Sequence, residues 1–312
     1  MTTAVILIIV GIALLAFAAD RFVAAAARLA KAWGASPILI GAVIIGMGTS
    51  APEFIVSVVS GGQSFDLALG NIAGSNIANL SLVLGASVMV ASIAGQQEVL
   101  RREGVLMLSA VVLFAGLTWD GQLDRPEGIL LAVGTVLAGY LLVRWSKTDG
   151  EESFAEELDE FTGDGEVSVP REIIFGLVTL AVMLFGADML ADGAIDVAEE
   201  LGVSAGFIGL TVVALGTSLP ELAAAIAAAR RRENDLIVGN LLGSNLFNSL
   251  VVAGGVALIR PGSTSIDFRP TMLAMVAIAA LAGILTATGH RLVRAEGVVL
   301  LAVYAGYITI IA

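Results

Sequence analysis

Ten stretches of this 312-residue chain carry no Asp, Glu, Lys or Arg, and they constrain its fold more than any other feature of the sequence. The stretches are residues 1–19, 32–52, 67–97, 104–119, 128–143, 173–187, 201–220, 236–259, 270–290 and 297–312. A helix that crosses a bilayer needs about 20 mostly apolar residues, and the shorter stretches can extend into flanking residues at the interface. Because 57% of the residues are hydrophobic and 14% are charged, the chain could not cover the surface of a soluble domain. The alternation typical of a membrane β-barrel is absent, so the sequence predicts an all-α integral membrane protein with ten transmembrane helices.

The first stretch, residues 1–19, is interpreted as a membrane span and not as a cleaved signal peptide. It has no basic residue at its start and no clear small-residue cleavage site before Asp20 and Arg21. The chain has no cysteine and one histidine, His290, which excludes disulfides, thiolate metal sites and multi-histidine metal centres.

The Lys and Arg residues predict the orientation of the chain, because cytoplasmic loops of membrane proteins are enriched in them. If the N-terminus lies outside, 13 of the 16 fall on the cytoplasmic side, and Arg125, Arg260 and Arg269 fall outside. Nine acidic residues between Asp149 and Glu166 then form a solvated cytoplasmic loop. The predicted location is the plasma membrane, crossed many times, with both termini outside. The net charge of −12 argues against nucleic-acid binding.

Two blocks of sequence occur twice in the chain. Residues 34–54 match 202–222 at nine of 21 positions with an offset of 168, and residues 70–80 match 239–249 at six of 11 positions with an offset of 169. The identities are Gly, Asn, Ser, Thr, Pro and Glu for the most part, so this is an internal duplication. With five spans in each copy, the second copy enters the membrane from the opposite side. The sequence therefore predicts two inverted five-helix repeats, residues 1–147 and 171–312, joined by an acidic cytoplasmic linker, residues 148–170.

The first block contains GTSAPE at 48–53 and GTSLPE at 216–221. Proline removes a backbone donor and clashes with the preceding turn, so each helix is expected to break here, near the midplane. Freed carbonyl groups are tolerable at that depth only where they line a cavity or meet an ion. A charge at the bilayer centre costs at least about 2.5 kcal/mol, and neither block contains Lys or Arg. Glu53 and Glu221 are therefore interpreted as functional residues and not as members of structural ion pairs.

Other oxygen-bearing side chains accompany the two glutamates at helical spacing. The candidate metal ligands are Glu53, Glu221, Thr49, Thr217, Ser50, Ser218, Ser75, Ser244, Asn79 and Asn248. Carboxylates, hydroxyls and amide oxygens suit Ca²⁺, Na⁺ or Mg²⁺ and do not suit soft transition metals. Such ions would be transported substrates, and no cofactor is predicted.

Simpler roles fit several other repeated residues. The glycines of the blocks suit close helix packing, and serine or threonine can bond back to its own helix. These glycines are Gly41, Gly70, Gly74, Gly209, Gly239 and Gly243. Asp20 and Asp188 also match at the offset of 168, and they either face the ion pathway or cap polar helix ends.

GTSxPE followed by GNxxGSN, each present twice, resembles the alpha-1 and alpha-2 repeats of the cation/calcium exchanger superfamily. The likeness is greatest to prokaryotic sodium/calcium exchangers, and it covers nearly the whole chain. It implies that Glu53 and Glu221 bridge a central calcium site with Thr49 and Thr217. It further implies flanking sodium sites formed by Ser50, Ser75, Ser218, Ser244 and the main-chain carbonyls of Gly46 and Ala214, with Asn79 and Asn248 lining the middle. The first and sixth spans are expected to slide across the rest.

The resemblance also bears on coupling. Proton-coupled relatives tend to carry GNxxE where this chain has GTSxPE, and potassium-dependent relatives carry aspartate where Asn248 stands. The sequence therefore predicts a secondary active transporter that exchanges Na⁺ for Ca²⁺ by alternating access without K⁺. The predicted partners are these ions and membrane lipid, with no obligatory protein partner.

Other functions remain open at this point. A Ca²⁺/H⁺ antiporter is the main alternative. A cation channel has less support, because paired glutamates on broken helices favour one tight site over weak multi-site binding. An enzyme is not predicted, since the sequence contains no HExxH or GxSxG motif.

Overall fold

The computed structural model describes residues 2–60, 65–94, 97–146, 167–202, 214–264, 266–289 and 291–311, and nearly all of them are helical. The helices before the acidic stretch are α1 (Thr2–Trp33), α2 (Pro37–Thr49), α3 (Ala51–Ser60), α4 (Phe65–Val90), α5 (97–117) and α6 (Arg125–Ser146). Those after it are α7 (Val169–Glu200), α8 (Ala214–Thr217), α9 (Leu219–Arg231), α10 (Asn234–Ile259), α11 (Arg269–Gly289) and α12 (Arg294–Ile311). Four two-residue strands are β1 (Ile93–Ala94), β2 (Gln122–Leu123), β3 (Gly262–Ser263) and β4 (Arg291–Leu292).

Six helices of the described residues are long and apolar enough to cross a membrane, and α2 with α3, bent by 41° at their junction, makes a possible seventh. The protein is thus a multi-pass membrane protein that is nearly all helical. The predicted stretch 201–220 falls in large part on residues 203–213, which lie outside the described residues, as does most of the acidic linker at 147–166. The count of ten transmembrane helices stays a prediction.

Both GTSxPE motifs break their helices, as the sequence predicts. Ser50, between α2 and α3, has φ −84° and ψ 8°, and Ser218, between α8 and α9, has φ −89° and ψ 3°. Pro220 lies in the first turn of α9, where the amide hydrogen that proline lacks would have no helical partner. Proline at this position therefore leaves no amide hydrogen of its own unpaired, and the break places Glu221 in the first turn of a new helix.

The helices α4 and α10 form the centre of the molecule. About three quarters of each span is buried (78% and 72%), whereas none of the other single-helix spans found in the described residues exceeds 33%. Each central helix contains a π-helical turn at the same place in the repeat, Asn79–Val83 in α4 and Phe247–Val252 in α10. Such wide turns often occur at functional sites, because they rotate the side chains that follow relative to a regular helix.

Glycines bring α2 and α10 into backbone contact. A Cβ atom on Gly243 would lie 2.2 Å from the carbonyl oxygen of Ala42, and one on Gly239 would lie 2.5 Å from that of Ile38. On α2, a Cβ on Gly41 would lie 2.9 Å from the carbonyl oxygen of Leu236. The predicted packing role is confirmed at these three glycines. Gly70 and Gly74 lack such close contacts among the described residues, and Gly209 lies outside them.

The short strands join the two halves of the chain. β1 pairs with β4 in antiparallel register, Ile93 opposite Leu292, and β2 pairs with β3, Gln122 opposite Ser263. At the repeat offset of 169, Ile93 corresponds to Gly262, so β1 is the sequence counterpart of β3 and not of its own pairing partner.

Ion pairs also cross between the halves. Arg28 of α1 binds Glu172 of α7 at 2.8 Å. Arg231 at the end of α9 binds Asp20 of α1 through two hydrogen bonds, at 2.8 and 2.7 Å. Asp20 thus joins two elements, a role that neither of its predicted roles included, whereas Asp188 is exposed on α7.

Candidate cation site

The structure buries all ten predicted ligand side chains. Thr217 is the most exposed at 8%, and Glu53 and Glu221 are both at 0%. They come from the broken ends between α2 and α3 and between α8 and α9, and from the adjacent turns of α4 and α10. Ala214, predicted to contribute its carbonyl, is the first residue of α8.

Each glutamate accepts a hydrogen bond from the serine of the opposite repeat. The Ser50 hydroxyl donates to Oε1 of Glu221 at 2.7 Å, and the Ser218 hydroxyl donates to Oε1 of Glu53 at 3.5 Å. The side chain of Thr49 also interacts with the Glu221 carboxyl group. The two GTSxPE motifs, more than 160 residues apart in sequence, therefore form one site.

The carbonyl oxygen of Gly46 lies at the edge of this site. It accepts hydrogen bonds from the hydroxyls of Thr49 and Ser244, both at 3.3 Å. It also accepts a hydrogen bond from the backbone amide of Ser50 at 3.1 Å, which is the last helical hydrogen bond before the break. The structure therefore brings together a main-chain oxygen of the first repeat and a predicted ligand of the second.

Several buried oxygens of the site have no hydrogen-bond partner among the described residues. They are Oε2 of Glu53, Oε2 of Glu221, Oγ of Ser75, and Oδ1 of Asn79 and of Asn248. Buried polar atoms of folded proteins are nearly always paired, since an unpaired one costs about 1–3 kcal/mol. A cluster of buried acceptors is a suitable environment for a hard cation.

The electrostatics of the site favour a cation. The carboxyl groups of Glu53 and Glu221 are close enough to repel each other, and neither has an ion-pair partner among the described residues. Burying two ionised carboxylates without compensation is strongly unfavourable. In the described part of the chain no three His, Cys, Asp or Glu side chains are grouped to hold a metal ion, so the two carboxylates must rely on neutral oxygens.

Two asparagines that the sequence did not single out, Asn71 and Asn76, lie beside the predicted ligands. Asn71 donates to the Glu53 carbonyl at 3.3 Å and to the Ser57 hydroxyl at 2.9 Å, and it accepts from Thr217 at 3.3 Å. Asn76 donates to the Ser249 hydroxyl at 2.9 Å. The available signal was the GNxxGSN motif, which repeats both asparagines in each copy.

Buried acidic and neutral oxygens within a multi-pass helical fold define a membrane transporter for cations. A model of the sodium/calcium exchanger protein family matches residues 3–145 and 172–312. The chain therefore belongs to the sodium/calcium exchanger family.

Individual relatives match over most of their length. The putative antiporter CaxA of Alkalimonas amylolytica is 37% identical, with 98% of each chain covered. The inner membrane protein YrbG of Escherichia coli is 39% identical, covering 84% of this chain and 82% of the relative. The sodium/calcium exchanger MaX1 of Methanosarcina acetivorans is 30% identical, covering 98% and 97%.

Solved structures of the sodium-calcium exchanger NCX_Mj share this fold. One from protein soaked with zero Na⁺ and Ca²⁺ has a TM-score of 0.85 and 27% identity and covers 99% of both chains. One soaked with 2.5 mM Na⁺ and 0.1 mM Ca²⁺ has a TM-score of 0.82 and 28% identity, covering 98% and 97%. The predicted membership of the exchanger superfamily is confirmed.

Proposed function

We propose that this chain exchanges Na⁺ for Ca²⁺ across the plasma membrane by alternating access to a single central site. The observation that carries the proposal is the pair Glu53 and Glu221, both fully buried, each hydrogen-bonded by a serine of the opposite repeat and without a basic partner among the described residues. We assign as ion ligands Glu53, Glu221, Thr49, Thr217, Ser50, Ser218, Ser75, Ser244, Asn79, Asn248 and the carbonyls of Gly46 and Ala214.

The charge of the site explains why exchange follows from binding. Two carboxylates are neutralised by one Ca²⁺ or by two Na⁺. Both ions need the same oxygens of Glu53 and Glu221, so each ion displaces the other, which is the condition for antiport. The names of the relatives support this proposal, since one is named a putative antiporter and another a sodium/calcium exchanger.

Transport by the purified protein in liposomes tests the proposal. We expect Ca²⁺ uptake when the lumen holds Na⁺ and the outside does not, and little uptake when Na⁺ is equal on both sides. Uptake that ignores Na⁺ and follows a pH gradient would identify a Ca²⁺/H⁺ antiporter. Steady single-channel currents would identify a channel.

Potassium dependence is a separate prediction. Asn248 is a neutral residue in the turn where potassium-dependent relatives are expected to carry aspartate, and it matches Asn79 in the other repeat. Without a third carboxylate the site has no charge to balance K⁺ in addition to the exchanged ions. Replacing all K⁺ by choline on both sides should leave the rate of Na⁺-driven Ca²⁺ uptake unchanged within about twofold. A requirement for K⁺ would contradict the assignment.

We infer that the architecture is two inverted five-helix repeats, residues 1–147 and 171–312, with the linker 148–170 in the cytoplasm and both termini outside. Strand pairing supports the inversion. The helix α5 separates β1 from β2 by about 30 Å, so they lie at opposite ends of the molecule. β3 is the counterpart of β1 but pairs with β2, so equivalent strands of the two repeats lie at opposite ends.

A further inference from the structure

The side chain of Asn71, beside the site, is hydrogen-bonded through both its nitrogen and its oxygen. Its amide nitrogen donates to the main-chain carbonyl of Glu53 and to the hydroxyl of Ser57, both within its own repeat. Its amide oxygen accepts the hydroxyl hydrogen of Thr217, which belongs to the opposite repeat. Asn71 therefore connects the main chain of its own repeat to a predicted ligand of the opposite repeat.

Asn240, the counterpart of Asn71 at the offset of 169, is bonded differently. Its nitrogen donates to the main-chain carbonyl of Glu221 at 3.5 Å, which is the equivalent of the bond from Asn71 to the carbonyl of Glu53. Its buried oxygen, however, accepts no hydrogen bond from the described residues. The threonine equivalent to Thr217 is Thr49, and its side chain interacts with the carbonyl of Gly46 and the carboxyl group of Glu221, with no bond to the Asn240 oxygen among the described residues. One repeat therefore forms the asparagine–threonine bond and the other does not.

One sequence difference between the copies bears directly on this asymmetry. Ser57, which fixes the Asn71 amide at 2.9 Å, corresponds to Ala225 at the offset of 168. Both positions are fully buried. The methyl group of Ala225 cannot accept a hydrogen bond. Asn240 therefore lacks the equivalent of the bond by which Ser57 orients Asn71.

We propose that Asn71 and Asn240 are positioning residues that hold the threonine of the opposite repeat in turn, one in each access state. In the present conformation Asn71 holds Thr217, and in the conformation open to the other side Asn240 holds Thr49. This inference rests on the proposed alternating access. When two inverted repeats rock around a fixed site, the two access states exchange the arrangements of the repeats. A bond present in one repeat and absent from the other is then broken and remade in each cycle.

The difference between Ser57 and Ala225 then favours one access state over the other. By fixing Asn71, Ser57 stabilises the present conformation relative to the opposite one. Ser57→Ala removes this support, and Ala225→Ser gives Asn240 the same support. Both changes should shift the population toward the opposite conformation, and the double variant, which transposes the asymmetry, should shift it most.

The apparent Ca²⁺ affinity at each membrane face measures this population, because it is proportional to the fraction of protein that is open to that face and weakens as that fraction falls. Inside-out and right-side-out vesicles give the two values, and their ratio is compared with that of the unaltered protein. We expect Asn71→Ala and Asn240→Ala to change this ratio in opposite directions, by about threefold or more. Ser57→Ala, Ala225→Ser and the double variant should all follow Asn71→Ala.

A merely structural role of the asparagines would weaken binding equally at both faces and leave the ratio unchanged, and that result overturns the proposal. Changes in the same direction for Asn71→Ala and Asn240→Ala also overturn it. If an asparagine variant does not fold, the serine exchange at 57 and 225 decides by itself, since it adds or removes one buried hydroxyl. The ratio concerns Ca²⁺ alone, so it remains decisive even if Na⁺ proves not to drive uptake, which would defeat only the proposed function.

Discussion

Glu53 and Glu221 each use one carboxylate oxygen for a serine of the opposite repeat and keep the other free of hydrogen bonds from the described residues. This division matters because a carboxylate that is fully hydrogen-bonded to protein has less negative charge to offer a metal ion. The serine bonds orient the carboxyl groups, and neither carboxyl group has a basic partner among the residues that the structure describes. A cation is the partner that completes such a pair.

Neutralising either glutamate should therefore abolish transport without unfolding the protein. For Glu53→Gln and Glu221→Gln we expect Ca²⁺ uptake to fall by about 100-fold or more, since half of the charge that balances Ca²⁺ is lost. Melting in the absence of Ca²⁺ should be unchanged or higher, because the variant no longer buries two like charges. Uptake into proteoliposomes and thermal unfolding in detergent are the two measurements.

Glu98→Gln is the matched control for these substitutions. Glu98 is 67% exposed and pairs with Arg102 one helical turn away, so its loss should leave uptake within about twofold of the unaltered protein. A Glu53→Gln protein that retained half of its uptake would show that Glu53 does not bind the transported ion.

The sequence was sufficient to predict which side chains lie together in the site but not the bonds between them. Thr49, Ser50 and Glu53 were predicted because proline, helical spacing and duplication all single out the same motif. Their pairing with the opposite repeat is a tertiary contact, and local periodicity carries no information about it. Asn71 was missed for this reason, since its partner Thr217 is 146 residues away.

At the scale of elements, the contact between α2 and α10 is the tightest feature near the site. The two helices approach until backbone atoms touch, and this approach brings Gly46 to Ser244. In a bilayer, close backbone packing is a main source of attraction between helices. The sequence predicted glycine packing but could not indicate which helix each glycine meets.

Gly243→Ala should accordingly be severely destabilising. Its Cβ would lie within 2.6 Å of three backbone atoms of Ala42, and backbone cannot give way as a side chain can. We expect the free energy of unfolding to fall by about 3 kcal/mol, the upper end of the range for overpacked sites, or the protein to fail to fold. Thermal unfolding in detergent, together with the yield of monodisperse protein, measures the effect.

Gly139→Ala on α6 is the appropriate comparison. Gly139 is exposed, and a Cβ there would meet no described atom within 4 Å, so alanine should be neutral or stabilise by up to about 1 kcal/mol through its helix propensity. Equal losses for the two variants would mean that the α2–α10 contact does not determine stability.

At the scale of the whole molecule, the two halves are joined by extensive contacts between their helices and by shared strand pairs. α1 packs along α7, α2 against α10, and each strand pair takes one strand from each half. The duplication can be read from the sequence, and the division into two repeats is a prediction that follows from it. The contacts between the halves could not be predicted, because they depend on which surfaces of the two repeats meet.

The acidic linker, by contrast, should be dispensable for assembly. Residues 146–171 fall outside the match to the exchanger family, and the contacts that join the halves lie in the helices and strands. Each half also carries its own orientation signal, with seven Lys and Arg residues predicted on the cytoplasmic side in the first and six in the second. Residues 1–147 and 171–312, expressed as separate chains in one cell, should therefore assemble and restore Na⁺-driven Ca²⁺ uptake to at least about a third of the intact level. Either half alone should be inactive, because each supplies only one glutamate to the site. If both halves reach the membrane in normal amounts and still fail to transport, the linker has a role beyond joining them, and the boundaries of the repeats must be redrawn.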